Sequence, residues 1–139
     1  ALERVEMFKT VLFPIDQSRE SHQAAETVAQ VVKVHSSRLV LLSVVEPREG
    51  DEATVMSDPE AIATMLTTAK TFFSQQNIDA EVIEREGKPA FTICDVADEI
   101  DANLIIMGCR GIGLTEEGVA DSVTNRVINL SPCPVLIVP

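Results

Sequence analysis

Leu104-Ile105-Ile106-Met107-Gly108-Cys109-Arg110-Gly111, with Ser122-Val123-Thr124-Asn125-Arg126 further along, decides how this chain folds. The apolar run reads as a buried strand entering a glycine turn. The hydroxyl residues then restart the chain as a helix. A strand that ends in glycines and gives way to a helix is how α/β proteins hold phosphate. Glycines let backbone N–H groups approach an anion, and the free N–H groups of a helix start add partial positive charge. A Gly-x-x-Gly pair is also an ordinary turn, so its spacing alone assigns nothing.

The same alternation extends in both directions. Phe8 to Ile15 is a short apolar run with Pro14 near its end, where a strand no longer needs a donor. Asp16-Gln17-Ser18 supplies a turn and a helix cap, and Ala24, Ala25, Val28, Val31 and Val32 recur at helical spacing over 19–34. Leu39 to Val45 is a second continuous strand. Glu46 to Asp58 reads as a loop, and Ala61, Met65, Ala69, Phe72 and Phe73 stripe a helix over 59–76. Ala80 to Glu86 alternates and is more polar, which predicts a sheet edge. Gly87-Lys88-Pro89 ends that strand and places proline in the first turn of a third helix, with Ile93, Val96, Ala97 and Ile100 inward. A fourth helix is expected over 122–130 and a last strand over 135–138. Strand–helix alternation of this kind predicts a single doubly wound parallel sheet with right-handed crossovers and helices on both faces. Ligands of such sheets sit beyond the carboxyl ends of the strands, where strand order reverses. If the first and fourth strands are neighbours, Pro14-Ile15-Asp16, Val44-Val45 and Gly108-Cys109-Arg110-Gly111 converge there.

Composition narrows the partners. The 139 residues suit one domain, expected over 7–139, with residues 1–6 a remnant ahead of a natural start at Met7. The chain is 45% hydrophobic and carries 22 acidic against 11 basic residues, a net charge of −11. So acidic a surface repels nucleic acid and anionic membranes, and neither is an expected partner. No apolar run approaches a membrane span. Cys94, Cys109 and Cys133 form neither a zinc pattern nor a disulfide framework, which fits a reducing cytoplasm.

Four segments, in order, resemble the universal stress protein family over essentially all of Met7 to Pro139. Lys9-Thr10-Val11-Leu12-Phe13-Pro14-Ile15-Asp16-Gln17-Ser18 is similar to the family's opening strand and its aspartate. Gly87-Lys88-Pro89 looks like its Gly-x-Pro helix entry. Leu104 to Gly111 is similar to its most specific segment, and Pro132-Cys133-Pro134-Val135-Leu136-Ile137-Val138 to its closing strand. The resemblance implies a five-stranded sheet of order 3-2-1-4-5 and a homodimer built through the last strand, Val135, Leu136, Ile137 and Val138. It also implies an adenine nucleotide, AMP or ATP, with or without Mg²⁺ or Mn²⁺. Carried over by position, Pro14, Ile15, Asp16, Val44, Met107, Gly108, Arg110, Gly111, Ser122, Val123 and Thr124 would surround it. Asp16 would accept ribose hydroxyls, backbone groups of Ile15 and Val44 would meet adenine, and Gly108 the ribose. Gly111, Ser122, Val123 and Thr124 would donate to phosphate.

One position departs from the family pattern. Nucleotide-binding members carry a third glycine directly before the hydroxyl residue; here it is Asp121. Glu116 and Glu117 lie nearby, and Arg110 and Arg126 are the flanking cations. Two like charges about 4 Å apart repel by roughly 4 kcal/mol at an effective dielectric near 20. That offsets N–H bonds contributing about 1.5–3 kcal/mol each. Asp121 could face solvent, a divalent cation could bridge it to phosphate, or the site could accept only AMP or no nucleotide.

Plainer readings stand beside these. Asp16, Ser122 and Thr124 are also good helix caps. Cys109 next to Arg110 is either a small turn residue or a thiol with lowered pKa; Cys94 and Cys133 read as near-core fillers. His35 suits a helix carboxyl end. Three functions follow: a non-catalytic adenine-nucleotide-binding regulator of stress responses, a dimeric interaction module without nucleotide, and a slow ATP hydrolase. The motifs supply no Walker lysine, evident general base or activating histidine, which weakens the last. A response regulator would need an acidic pair after the first strand, and a flavodoxin a hydroxyl-rich loop where Asp16-Gln17-Ser18-Arg19-Glu20 stands.

Overall fold

β1 (Thr10–Pro14) is the strand on which the sheet is built, and its alternating side chains divide the core in two. The computed structural model describes residues 7–16, 19–45, 59–108 and 123–139. Along them follow α1 (Arg19–His35), β2 (Arg38–Val45), α2 (Pro59–Ser74), β3 (Ala80–Glu86), α3 (Pro89–Glu99), β4 (Leu104–Gly108), α4 (Val123–Leu130) and β5 (Val135–Val138). All pairings are parallel and the strand order is β3-β2-β1-β4-β5, as expected. Val11, Phe13, Leu39, Leu41 and Ile106 face α1 and α2; Leu12, Val40, Leu42, Ile105 and Met107 face α3 and α4. Both faces are covered, which is why the central strands read as unbroken apolar runs rather than alternating ones.

Three helices close on a left-handed residue that is not glycine: Ser36, Asn77 and Asp101, with φ of 52°, 63° and 52°. After α2, the Ile78 N–H reaches back to the Phe73 carbonyl at 2.9 Å and satisfies a terminal acceptor. That motif ends α2 at Ser74, two residues before the expected boundary. The first strand likewise starts later than Phe8. Phe8 has φ 54°, accepts the Ser37 hydroxyl at its carbonyl and sets its ring edge-on to His35. At the far end of β3, Gly87 adopts φ 153°, and a Cβ there would lie 2.5 Å from Thr92 Oγ1. Glycine is required for that turn into α3, whose first residue is Pro89 as expected.

The two sheet edges differ. β3 exposes Glu81, Glu84, Arg85 and Glu86, and exposed pairs Arg38–Glu81 and Arg85–Glu99 lie on and beside it. Each such pair contributes at most about 1 kcal/mol, yet charges on an edge discourage further pairing. β5 is Val-Leu-Ile-Val, with no charge and a proline at either end.

Cys94 and Cys133 sit half-buried in the cluster under α3 and α4. Burial pushes both thiols up, Cys94 further through Asp95 and Cys133; the Ser131 hydroxyl partly offsets the rise at Cys133. A thiol that holds its proton more tightly when folded contributes stability below the ordinary thiol pKa of about 8.5 and loses it as pH rises beyond. Iodoacetamide labelling of both, read peptide by peptide by mass spectrometry, is expected to be slower than for glutathione at pH 8. Equal rates would contradict the burial.

Candidate functional site: the seam between the first and fourth strands

Strand order reverses at β1, which has β2 on one side and β4 on the other. The seam with β4 is clasped at its amino end. The Thr10 N–H donates to Asn103 Oδ1 at 2.9 Å, and the Asn103 N–H donates to the Thr10 carbonyl at 2.8 Å. The ladder continues through Val11↔Leu104 and Leu12↔Ile105 and stops. Backbone alternation explains the stop. The N–H of Ile15 faces β2, donating to Leu42 at 2.8 Å, so the nitrogens of residues 10, 12 and 14 face β4. Residue 14 is proline and has no hydrogen to donate. Beyond it each strand holds only its outer neighbour: β1 reaches Pro14↔Leu42, and β4 reaches Gly108↔Val138. The result is an unpaired gap between the described ends of β1 and β4 at the carboxyl end of the sheet, where ligands of this architecture sit.

Its walls are fixed by short-range bonds. Asp16, half-buried, donates its N–H to Ser21 Oγ at 3.2 Å, which ties the end of β1 to the first turn of α1. Thr124 is buried, and its hydroxyl donates to the Gly108 carbonyl at 3.4 Å, which draws the start of α4 to the end of β4. The hydroxyl proton of Thr124 is thereby engaged. On the other side, the Gly87 N–H holds the Val45 carbonyl at 2.9 Å and fixes the end of β2 next to Val44.

Of the residues expected at the site, Pro14, Ile15, Asp16, Val44, Met107, Gly108, Val123 and Thr124 come to this one end of the sheet. The Met107 side chain is buried with Leu12 and Ile105. Cys109, Arg110, Gly111, Asp121 and Ser122 lie outside the described residues. Val135, Leu136, Ile137 and Val138 form the outer strand, with Leu136 exposed. Two elements went unread in the sequence: the Ser21 anchor and the Asn103 clasp. Asn103 directly precedes a strand, and that position was the available signal. Among the described residues no group of three or more His, Cys, Asp or Glu could hold a metal ion. No helix among them is long and apolar enough to cross a membrane.

The Universal stress protein family model matches residues 7–139. This chain belongs to the universal stress protein family. Universal stress protein Sll1654 of Synechocystis sp. is 63% identical over 136 residues, spanning 96% of this chain and 87% of its own length. A solved universal stress protein in complex with cAMP superposes with a TM-score of 0.79 at 24% identity, covering 96% of this chain and 98% of that one. One from Archaeoglobus fulgidus in complex with dAMP gives 0.72 at 18% identity, covering 96% and 99%. The expected fold and family are thus both found.

Proposed function

We propose that this universal stress protein binds an adenine nucleotide with a single phosphate in the β1/β4 crevice and acts as a non-catalytic regulator of stress responses. The observation that carries this is the seam: clasped at Asn103, opened at Pro14, and bordered by the start of α4 through Thr124 and Gly108. A crevice lined by peptide groups receives an anion through N–H donors without needing lysine or arginine. In this reading Asp16 accepts the ribose hydroxyls, and Ile15 and Val44 offer backbone groups to adenine. Gly108 meets the ribose, and Gly111, Ser122, Val123 and Thr124 donate N–H groups to phosphate. Pro14, Met107 and Arg110 border the pocket. Solved relatives that hold cAMP and dAMP agree with a one-phosphate ligand.

Asp121 and the net charge of −11 favour AMP over ATP unless Mg²⁺ or Mn²⁺ bridges the acids to a longer chain. Calorimetry in EDTA is expected to show AMP binding more tightly than ATP, with Mg²⁺ narrowing the gap. Equal or tighter metal-free ATP binding would overturn the choice. Neither ligand binding, and no nucleotide released on denaturing the purified protein, would overturn the reading and leave an interaction module. The compartment that accompanies it is the cytoplasm, where the cysteines stay reduced.

The uncharged β5 edge supports a second element of the proposal, a homodimer paired through Val135, Leu136, Ile137 and Val138. An apolar edge without charge or bulge is a template for another strand. Leu136→Lys is expected to halve the mass seen by sedimentation equilibrium while leaving the far-UV spectrum unchanged. An unchanged mass would remove β5 from the interface.

A further inference from the structure

A second opening lies on the other side of the β1–α1 turn, between α1 and α2. Phe13 and Ile15 form its floor, and Ala25, Met65, Ala69 and Phe72 its walls, around about 150 Å³. That equals the volume at which an apolar cavity in a protein takes up a benzene ring. Floor residues are buried, whereas the four wall residues are only partly covered by the protein itself. Polar groups gather at the mouth: the Asp16 carboxylate, the Ser21 and Thr68 hydroxyls and the His22 imidazole. Among the described residues no lysine or arginine lines it. The net charge of −11 enriches cations at the surface and depletes anions.

We propose that this cleft is a small-molecule site for a compact apolar group, one ring or a branched chain of similar bulk, carrying a single ammonium. The apolar body fills the space between Met65, Phe72 and Ile15, and the ammonium donates to Asp16 and Thr68 at the mouth. The proposal does not rest on the nucleotide reading. The cleft lies on the α1/α2 face, the proposed nucleotide site is bordered by α4 on the other face, and among the described residues they share Ile15 and Asp16.

The probe is 2-phenylethylamine, compared with 2-phenylethanol and phenylacetate on the whole chain without nucleotide. Methyl resonances of Ile15, Ala25, Met65 and Ala69 report binding by NMR. So small a ligand in a half-open cleft is expected to bind with a Kd of about 1 mM. The alcohol is expected to bind several-fold more weakly, and the carboxylate not to saturate. Asp16→Asn should bring the amine to the level of the alcohol. Thr68→Phe, on an exposed position that closes the mouth without touching the core, should abolish the shifts. No shift of these four methyls, phenylacetate binding as tightly as the amine, or amine binding undiminished in Thr68→Phe would each overturn the site.

Discussion

Phe73→Ala is expected to destabilise the fold by about 3–5 kcal/mol, the usual range for deleting a fully buried aromatic ring. Phe73 is 0% exposed and meets Phe13 edge-on at 6.3 Å and Phe72 at 5.1 Å. It joins α2 to the central strand β1 through Phe13. A domain is stable by only about 5–15 kcal/mol, so one substitution takes a large share. At roughly 3–5 °C per kcal/mol for a chain of this length, the midpoint should fall by about 10–20 °C. The chain has no tryptophan or tyrosine, so far-UV circular dichroism is the suitable probe. Half-buried Phe72 should cost less when truncated. Equal losses, or a loss under about 2 kcal/mol at Phe73, would place the weight of the core elsewhere.

Asp16→Ala is expected to weaken AMP by about 10–100-fold, a larger loss than its cost to the fold, which keeps the backbone bond to Ser21. Both halves have a structural reason. In the proposed site the carboxylate accepts ribose hydroxyls, and a hydrogen bond to a charged group contributes about 1.5–3 kcal/mol. The bond that organises the turn uses the Asp16 backbone N–H on Ser21, which alanine retains. Calorimetry and a melting curve on the same sample separate the two. Unchanged AMP affinity would remove Asp16 from the ribose. Any phosphate release from ATP, measured on both proteins, tests the hydrolase alternative alongside.

The order of strands and helices was legible because β4 and β5 are apolar runs, β2 is apolar from Leu39 to Val45 apart from Ser43, and the helices carry regular stripes. The charged alternation of Glu81 to Glu86 marked an edge before any coordinates did. Boundaries were less legible where a side chain accepts an uncommon backbone. Asn77, Ser36 and Asp101 end helices in the conformation usually left to glycine, and Phe8 turns out of the strand its hydrophobicity suggested. At the site, Pro14 was read as harmless near a strand end. Its missing hydrogen faces β4 rather than solvent, and that side of the backbone can be known only from the pairing. The Asn103 clasp joins residues ninety-three positions apart, beyond the reach of any local pattern.

That separation has a consequence for how the protein is made. β1 emerges first and can pair with β2, and β2 in turn with β3, but the other side of β1 stays bare until β4 follows. At about 5–20 residues per second the wait is roughly 5–20 s. Throughout it, Val11, Leu12 and Phe13 present an apolar strand edge, the kind of surface that recruits stray strands. A nascent chain halted between Gly87 and Leu104 should therefore be the species most dependent on a chaperone, although the finished protein has this edge sealed in the middle of its sheet.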